Sequence, residues 1–311
     1  MLEDRSFVRT STGKTEDDPI DSVDEPAPAA PAPRSAGFAV VTRLIVVFVV
    51  LAVAGGGVWL VTRASTPEAS PTTTEIPALQ VKAADVRPGS VAPAGGAVAG
   101  GADQQTAPQQ AQSRSTTGPA TLAQWASQVA GASGVPARAL AAYGNAELAM
   151  RASQPNCMIS WATLAGIGRI ESNHGQYSGA VLGADGRPSK PIIGVPLDGS
   201  SGVQAIGDTD GGRYDGDAGV DRAVGPMQFI PGTWRKWASD GNGDGLGDPQ
   251  QIDDAALAAA RYLCAGGRDM ASPAGWWAGI LSYNNSTEYA QKVFGLADGY
   301  AKAAQSVRKQ G

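Results

Sequence analysis

From Thr121 onward, apolar positions recur at three- and four-residue intervals, the spacing of helices that bury one stripe. Pro136 opens one such stretch, with Ala137, Leu140, Tyr143 and Glu147 along its face. Ser160 reads as the N-cap of the next, in which Leu164, Ile167, Gly168 and Glu171 fall at i, i+3, i+4 and i+7. Asp253 or Asp254 caps a third, from Ala255 to Cys264, and Gly266-Gly267 stops it. Ser272-Pro273 opens a fourth through Trp276, Trp277, Ile280, Leu281 and Tyr283. Ser286 caps the last, where Tyr289, Val293, Leu296 and Tyr300 repeat at helical spacing. Strand patterns are weak, so the expected class is mostly α. Between the second and third groups runs Gly175 to Arg222, dense in Gly, Asp, Ser and Pro, and a connection that long in a compact domain usually carries function.

The first part of the chain has none of this periodicity. Residues 1–37 hold eight acids against four bases and end in a Pro/Ala run, too little apolar surface to offset chain entropy, so an acidic disordered tail is expected. Residues 38–61 are expected to be a transmembrane helix, because Leu44 to Val61 contains no charge over eighteen residues and is flanked by Arg43 and Arg63. Ala52-Val53-Ala54 resembles a small-residue cleavage site, which keeps a cleaved signal sequence as the rival; the long segment before the apolar run favours an anchor. Residues 62–120 are rich in Pro, Thr, Ala, Gly and Gln and read as a linker, with a flexible reach on the order of 40 Å. The ordered domain is then 121–305, with 306–311 as a tail.

Charge and cysteines narrow the setting. Of the net −5, the tail contributes −4 (eight acids, four bases), and no basic stripe exists to neutralise phosphates, so nucleic acid is not an expected partner. The cysteines are Cys157 and Cys264, and a pair outside the cytoplasm usually forms a bond. Two buried thiols are the alternative. With the slight excess of Arg before the span, the arrangement reads as N-terminus cytoplasmic and folded domain extracytoplasmic.

Glu171 stands at the end of an apolar helical stripe. A carboxyl desolvated there has its pKa raised, which lets it hold a proton near neutrality and deliver it to a leaving oxygen. Gly168, one turn earlier, reads as room for a ligand. Ser172 follows directly. Gln228 lies among Met227, Phe229 and Ile230, where a partly buried amide needs partners that a sugar hydroxyl or N-acetyl group could supply. Tyr283-Asn284 closes an apolar helix, and tyrosine offers a pyranose ring both a face and a hydroxyl. Asp215, Asp217 and Asp221 border the same stretch.

Taken in order, Ile170-Glu-Ser-Asn-His-Gly175, Gly225-Pro-Met-Gln-Phe-Ile-Pro231 and Tyr283-Asn-Asn-Ser-Thr-Glu-Tyr-Ala290 resemble the membrane-bound lytic transglycosylase B family, over roughly residues 121–300. The Ala/Gly-rich composition hints at an actinobacterial type. The resemblance implies a lysozyme-like helical fold and non-hydrolytic cleavage of the MurNAc–GlcNAc β-1,4 bond of peptidoglycan, leaving a 1,6-anhydro end. It implies Glu171 as acid/base, with Gln228, Tyr283 and Asn284 lining the saccharide cleft. Ser172, Met227, Asp215 and Asp217 are further candidates for substrate contact.

No cofactor is required for this chemistry. Asp240-Gly-Asn242-Gly-Asp244-Gly245-Leu-Gly-Asp248 does match the first part of a calcium loop, with oxygen ligands at positions 1, 3 and 5 and glycine at 6. Its twelfth position is Gln251, so Asp248 or Asp253 has to serve as the last ligand in a shortened loop, and a metal-free Asp/Gly turn is the alternative. His174, the sole histidine, reads as a structural helix-end residue. Two other functional readings stay open: a hydrolytic muramidase that recruits a second carboxylate from Asp215, Asp217 or Asp221, and a glycan-binding scaffold without turnover.

Overall fold

The computed structural model describes residues 81–95, 98, 119–200 and 203–308. The expected acidic tail and membrane span lie outside these residues. Among the described residues no helix is long and apolar enough to cross a membrane.

The described residues form seven α-helices and one two-stranded antiparallel sheet. The helices are α1 (Pro119–Ser133), α2 (Ala137–Ser153), α3 (Trp161–Ser172), α4 (Pro231–Trp237), α5 (Ile252–Leu263), α6 (Pro273–Tyr283) and α7 (Thr287–Arg308). The strands are β1 (Ile193–Pro196) and β2 (Arg222–Val224), with Ile193 opposite Val224 and Pro196 opposite Arg222. The mostly α expectation therefore holds, and the small sheet pairs the middle of the long Gly/Asp-rich connection with its end.

Helix α3 is the hub. Every residue from Trp161 to Gly168 is buried, together with Glu171 and Ser172, so the helix is enclosed on nearly all sides rather than along one stripe. Its length and small residues permit this. Gly166 lets α7 pass close, since a Cβ there would sit 3.0 Å from the Val293 carbonyl oxygen. Gly168 has a different role from the one its sequence context suggested: a Cβ there would overlap the Tyr143 hydroxyl, so the space is filled by an α2 tyrosine and not kept for a ligand. Ser160 caps α3 as expected, its side chain accepting from Thr163 N–H. Glu147 of α2 adds a second cap, with Oε2 accepting from Trp161 N–H at 2.7 Å. Asn173 in left-handed conformation ends the helix.

The cap of α5 is Gln251, whose Oε1 accepts from Asp253 N–H and Asp254 N–H at 2.6 and 3.1 Å. Both aspartates therefore sit inside the first turn. Ser272 caps α6, and Ser286 accepts from Tyr289 N–H at the start of α7. Cys157 and Cys264 form a disulfide with a Cα–Cα distance of 5.5 Å, fastening the turn before α3 to the end of α5.

Residues 81–95 and Val98 do not behave as a free linker. Ala92 and Val98 are buried, Val86 packs against the core, and backbone groups of the segment bond to α7, α6 and α2. Its Pro/Ala/Gly composition concealed this because the hydrogen bonds come from its backbone rather than from its side chains.

Candidate active site

Glu171 lies in the last turn of α3 and is 2% exposed. Tyr289, in the first turn of α7, donates its hydroxyl to Glu171 Oε1 at 2.5 Å. Oε2 has no hydrogen-bond partner among the described residues. Burial pushes the Glu171 pKa up to about 8, while the Tyr289 hydrogen bond pulls it the other way. At pH 7 such a carboxyl is about nine-tenths protonated. The first turn of α7 thus supports the acid, a contact concealed in the sequence by a separation of 118 residues.

Behind the carboxyl lies a tight loop, Val224–Phe229, closed by paired backbone hydrogen bonds between those two residues. It needs Gly225, whose φ is 79° and whose missing Cβ leaves space for the Pro249 carbonyl. Ser172 donates to Pro226 carbonyl at 2.6 Å and accepts from Gly175 N–H. Tyr283 donates to Met227 carbonyl at 2.6 Å, and its ring packs edge-on against Phe229 and Tyr262. Ser172, Met227 and Tyr283 are all buried, so they form the frame that holds the loop against α3 and α6 rather than an open sugar platform. Asn284 is the buried C-cap of α6.

Gln228 keeps a different position. It is buried and has φ 50°, and it donates Nε2 to Gly225 carbonyl at 2.9 Å while its Oε1 makes no hydrogen bond among the described residues. A Cβ on Gly194 of β1 would come within 3.0 Å of that oxygen, so the glycine leaves space for the amide. Glu171 Oε2 and Gln228 Oε1 thus have no hydrogen-bond partner among the described residues.

The aspartates of the long connection serve the connection itself. Asp215 accepts from Arg222 N–H and Asp217 N–H, and Asp217 pairs with the Arg222 guanidinium at 2.9 Å. The Gly219 N–H, followed by Arg222, lowers the Asp217 pKa. Asp221 is buried and accepts both the N–H and hydroxyl of Thr209. Asp208, Asp210 and Asp221 bring carboxylate oxygens within 4.8 Å of one another, a clustering that sequence reasoning missed. Backbone N–H groups of Asp210, Gly211 and Gly212 bond Asp208, and those of Gly212 and Tyr214 bond Asp210. His174 is buried against Tyr143, Nδ1 to Oη 3.1 Å, and burial followed by the Arg169 charge lowers its pKa to about 3, so it stays neutral and structural.

In the candidate calcium loop, Asp240 accepts from the N–H groups of Gly243, Asp244 and Gly245, and Asn242 bonds Asp244. The two proposed end ligands are engaged elsewhere: Asp248 is paired with Arg187, and Asp253 with Arg138 and Gln251. The carboxylate that lies under the loop is Asp254, buried, accepting from Gly241, Asn242 and Asp248 N–H. Burial raises its pKa, with Asp244 adding to the effect, and no cationic side chain offsets it among the described residues. The donors are all oxygen, the type a hard divalent cation takes, but among the described residues Asp240, Asp244 and Asp254 do not gather carboxylate oxygens within 4.8 Å of one another as Asp208, Asp210 and Asp221 do.

Residues 217–278 match the family model described as Transglycosylase SLT domain. No curated protein and no solved structure matches the chain. The matched segment carries Gln228, the Asp240–Asp248 loop and Cys264, while Glu171 and Tyr289 lie outside it. Together with the mostly helical fold, the match supports a lytic transglycosylase or lysozyme-like family and an enzyme that acts on peptidoglycan.

Proposed function

We propose that this domain is a lytic transglycosylase that cleaves the MurNAc–GlcNAc β-1,4 bond of peptidoglycan and leaves a 1,6-anhydro-MurNAc end, with Glu171 as its single acid/base. The observation that carries the reading is a buried glutamic acid, protonated near neutrality, fixed at one oxygen by Tyr289 and without a hydrogen-bond partner at the other among the described residues. In the proposed reaction the Oε2 proton passes to the bridging oxygen as the C1–O bond breaks, and the MurNAc N-acetyl group stabilises the developing cation. The same sugar's C6 hydroxyl then attacks C1, returning its proton to Glu171. No water is consumed, so no second carboxylate is needed to activate one. This suits a site where Asp215, Asp217 and Asp221 are bound into their own loop. Gln228 Oε1 is proposed to accept from a substrate N–H or hydroxyl.

The calcium loop is proposed to hold its ion through Asp240, Asn242, Asp244 and Asp254. The ion would neutralise a buried charge and stiffen the start of α5. Residues 38–61 are proposed as the membrane anchor that holds the domain on the extracytoplasmic side. The catalytic reading is tested by mass spectrometry of muropeptides released from purified peptidoglycan by the wild type and Glu171→Gln. Anhydro products from the wild type alone are expected; hydrated reducing ends, or an undiminished rate in the variant, would overturn it.

A further inference from the structure

The segment formed by residues 81–95 and Val98 bonds directly to α7 and α6, and through Glu147 of α2 to the start of α3. At α7, Ala84 N–H donates to Gln291 carbonyl at 3.2 Å, and Gln291 Nε2 donates to Val86 carbonyl at 2.7 Å, two residues beyond Tyr289. At α6, Trp277 Nε1 donates to Ser90 carbonyl at 3.1 Å, on the helix that ends in Tyr283. At α3 the link passes through Glu147, whose Oε1 accepts from Val98 N–H at 3.2 Å while Oε2 accepts from Trp161 N–H. Trp161 begins the helix that ends near Glu171, about 15 Å along its axis.

We propose that this segment is a positioning strap for the catalytic acid: by binding α7 two residues beyond Tyr289, α6, and, through Glu147, the start of α3, it fixes the distance between Tyr289 and the carboxyl. Gln291 and Tyr289 are two positions apart, hence on nearly opposite faces of α7. The strap thus holds the outer face of that helix while the tyrosine is presented inward. Val98 and Ala92 are buried and Val86 packs against the core, and the segment's hydrogen bonds to the helices are made by its own backbone groups. Gln291, Trp277 and Glu147 act through the helices they fasten and are positioning residues.

This inference rests on the proposed roles of Glu171 and Tyr289, and its test is chosen to be read without turnover. The titratable groups that bear on Glu171 are Tyr289 from α7 and Tyr283 from α6, both kept protonated by burial. A movement of the Glu171 titration therefore reports on its hydrogen bond. In the full chain, Gln291→Ala combined with Trp277→Phe removes the side-chain bonds to the Val86 and Ser90 carbonyls, leaves the Ala84 N–H bond to the Gln291 carbonyl, and keeps the indole site filled by a ring. Carbon-13 NMR of the Glu171 carboxyl is expected to show its pKa rising by about half a unit as the Tyr289 bond loosens. On peptidoglycan, kcat should fall about fivefold, the weight of one ordinary hydrogen bond, with KM unchanged. Val98→Ser, which leaves both helices untouched, should move the titration the same way by a smaller amount. A lowered melting temperature with the Glu171 titration and kcat unchanged would reduce the strap to a structural brace and overturn the proposal. If the titration moves but even the wild type releases no anhydro product, the strap stands and the catalytic reading falls.

Discussion

Replacing Glu171 by Gln should make the folded protein more stable as it makes it inactive, and the size of the gain depends on pH. The carboxyl's pKa is raised from 4.5 to about 8 by burial, so between these values the unfolded chain has released a proton that the folded protein still holds. Stability in the wild type therefore falls as pH rises through that window. At pH 7 the interval above 4.5, taken at about 1.4 kcal/mol per unit, amounts to about 3 kcal/mol. The cost should be about 1 kcal/mol at pH 5 and level off near 5 kcal/mol above pH 8. Glutamine has no proton to release and keeps an oxygen for Tyr289, so the variant should escape the penalty. Tyr283 and Tyr289, raised well above 10.0 by burial, do not titrate in this range and leave the comparison clean. Urea unfolding of both proteins from pH 5 to pH 9 measures the difference, and at pH 7 the melting temperature should rise by about 6 to 12 °C. A stability gap independent of pH, or a variant less stable than the wild type at pH 8, would refute the claim that a desolvated acid is stored at this position.

Tyr289→Phe removes the bond that restrains the Glu171 pKa; the alkaline limb of the rate profile should move upward and kcat should fall about tenfold, read from initial rates between pH 5 and pH 9. Gly168→Ala drives a methyl into the Tyr143 hydroxyl and should cost about 2 to 3 kcal/mol in chemical unfolding, with partial recovery in the double variant Gly168→Ala/Tyr143→Phe. Millimolar calcium should raise the melting temperature of the wild type and leave that of Asp254→Asn unchanged, as followed by scanning calorimetry; an equal rise in both would remove Asp254 from the site.

The parts of the fold that could be read from the sequence are those set by local chemistry. Ser160, Ser272 and Ser286 cap helices where their hydroxyls meet N–H groups a few residues on, and Glu171 is buried because it shares a helical repeat with Leu164 and Ile167. The misread parts depend on distant partners. Gly168 lacks a side chain for the benefit of Tyr143, a residue on another helix, and an absent methyl gives no sign of what fills its place. Tyr283 and Ser172 carry groups suited to sugars, but their hydroxyls are spent on the carbonyls of Met227 and Pro226. Asp215, Asp217 and Asp221 read as candidates for substrate contact or for a second carboxylate, but acids and glycines alternate from Asp208 to Asp221, and that alternation lets these carboxylates collect N–H groups of their own loop.

The distance along the chain between Glu171 and Tyr289 also bears on when the site comes into being. Helix α3 can be covered only after α7 has been made, and α7 is the last helix among the described residues. A chain leaving the ribosome would carry its acid long before it carried the tyrosine that fixes it, with α3 still lacking one of its walls. Lytic capacity would then arise in one late step, when α7 docks, rather than growing with the length of the chain.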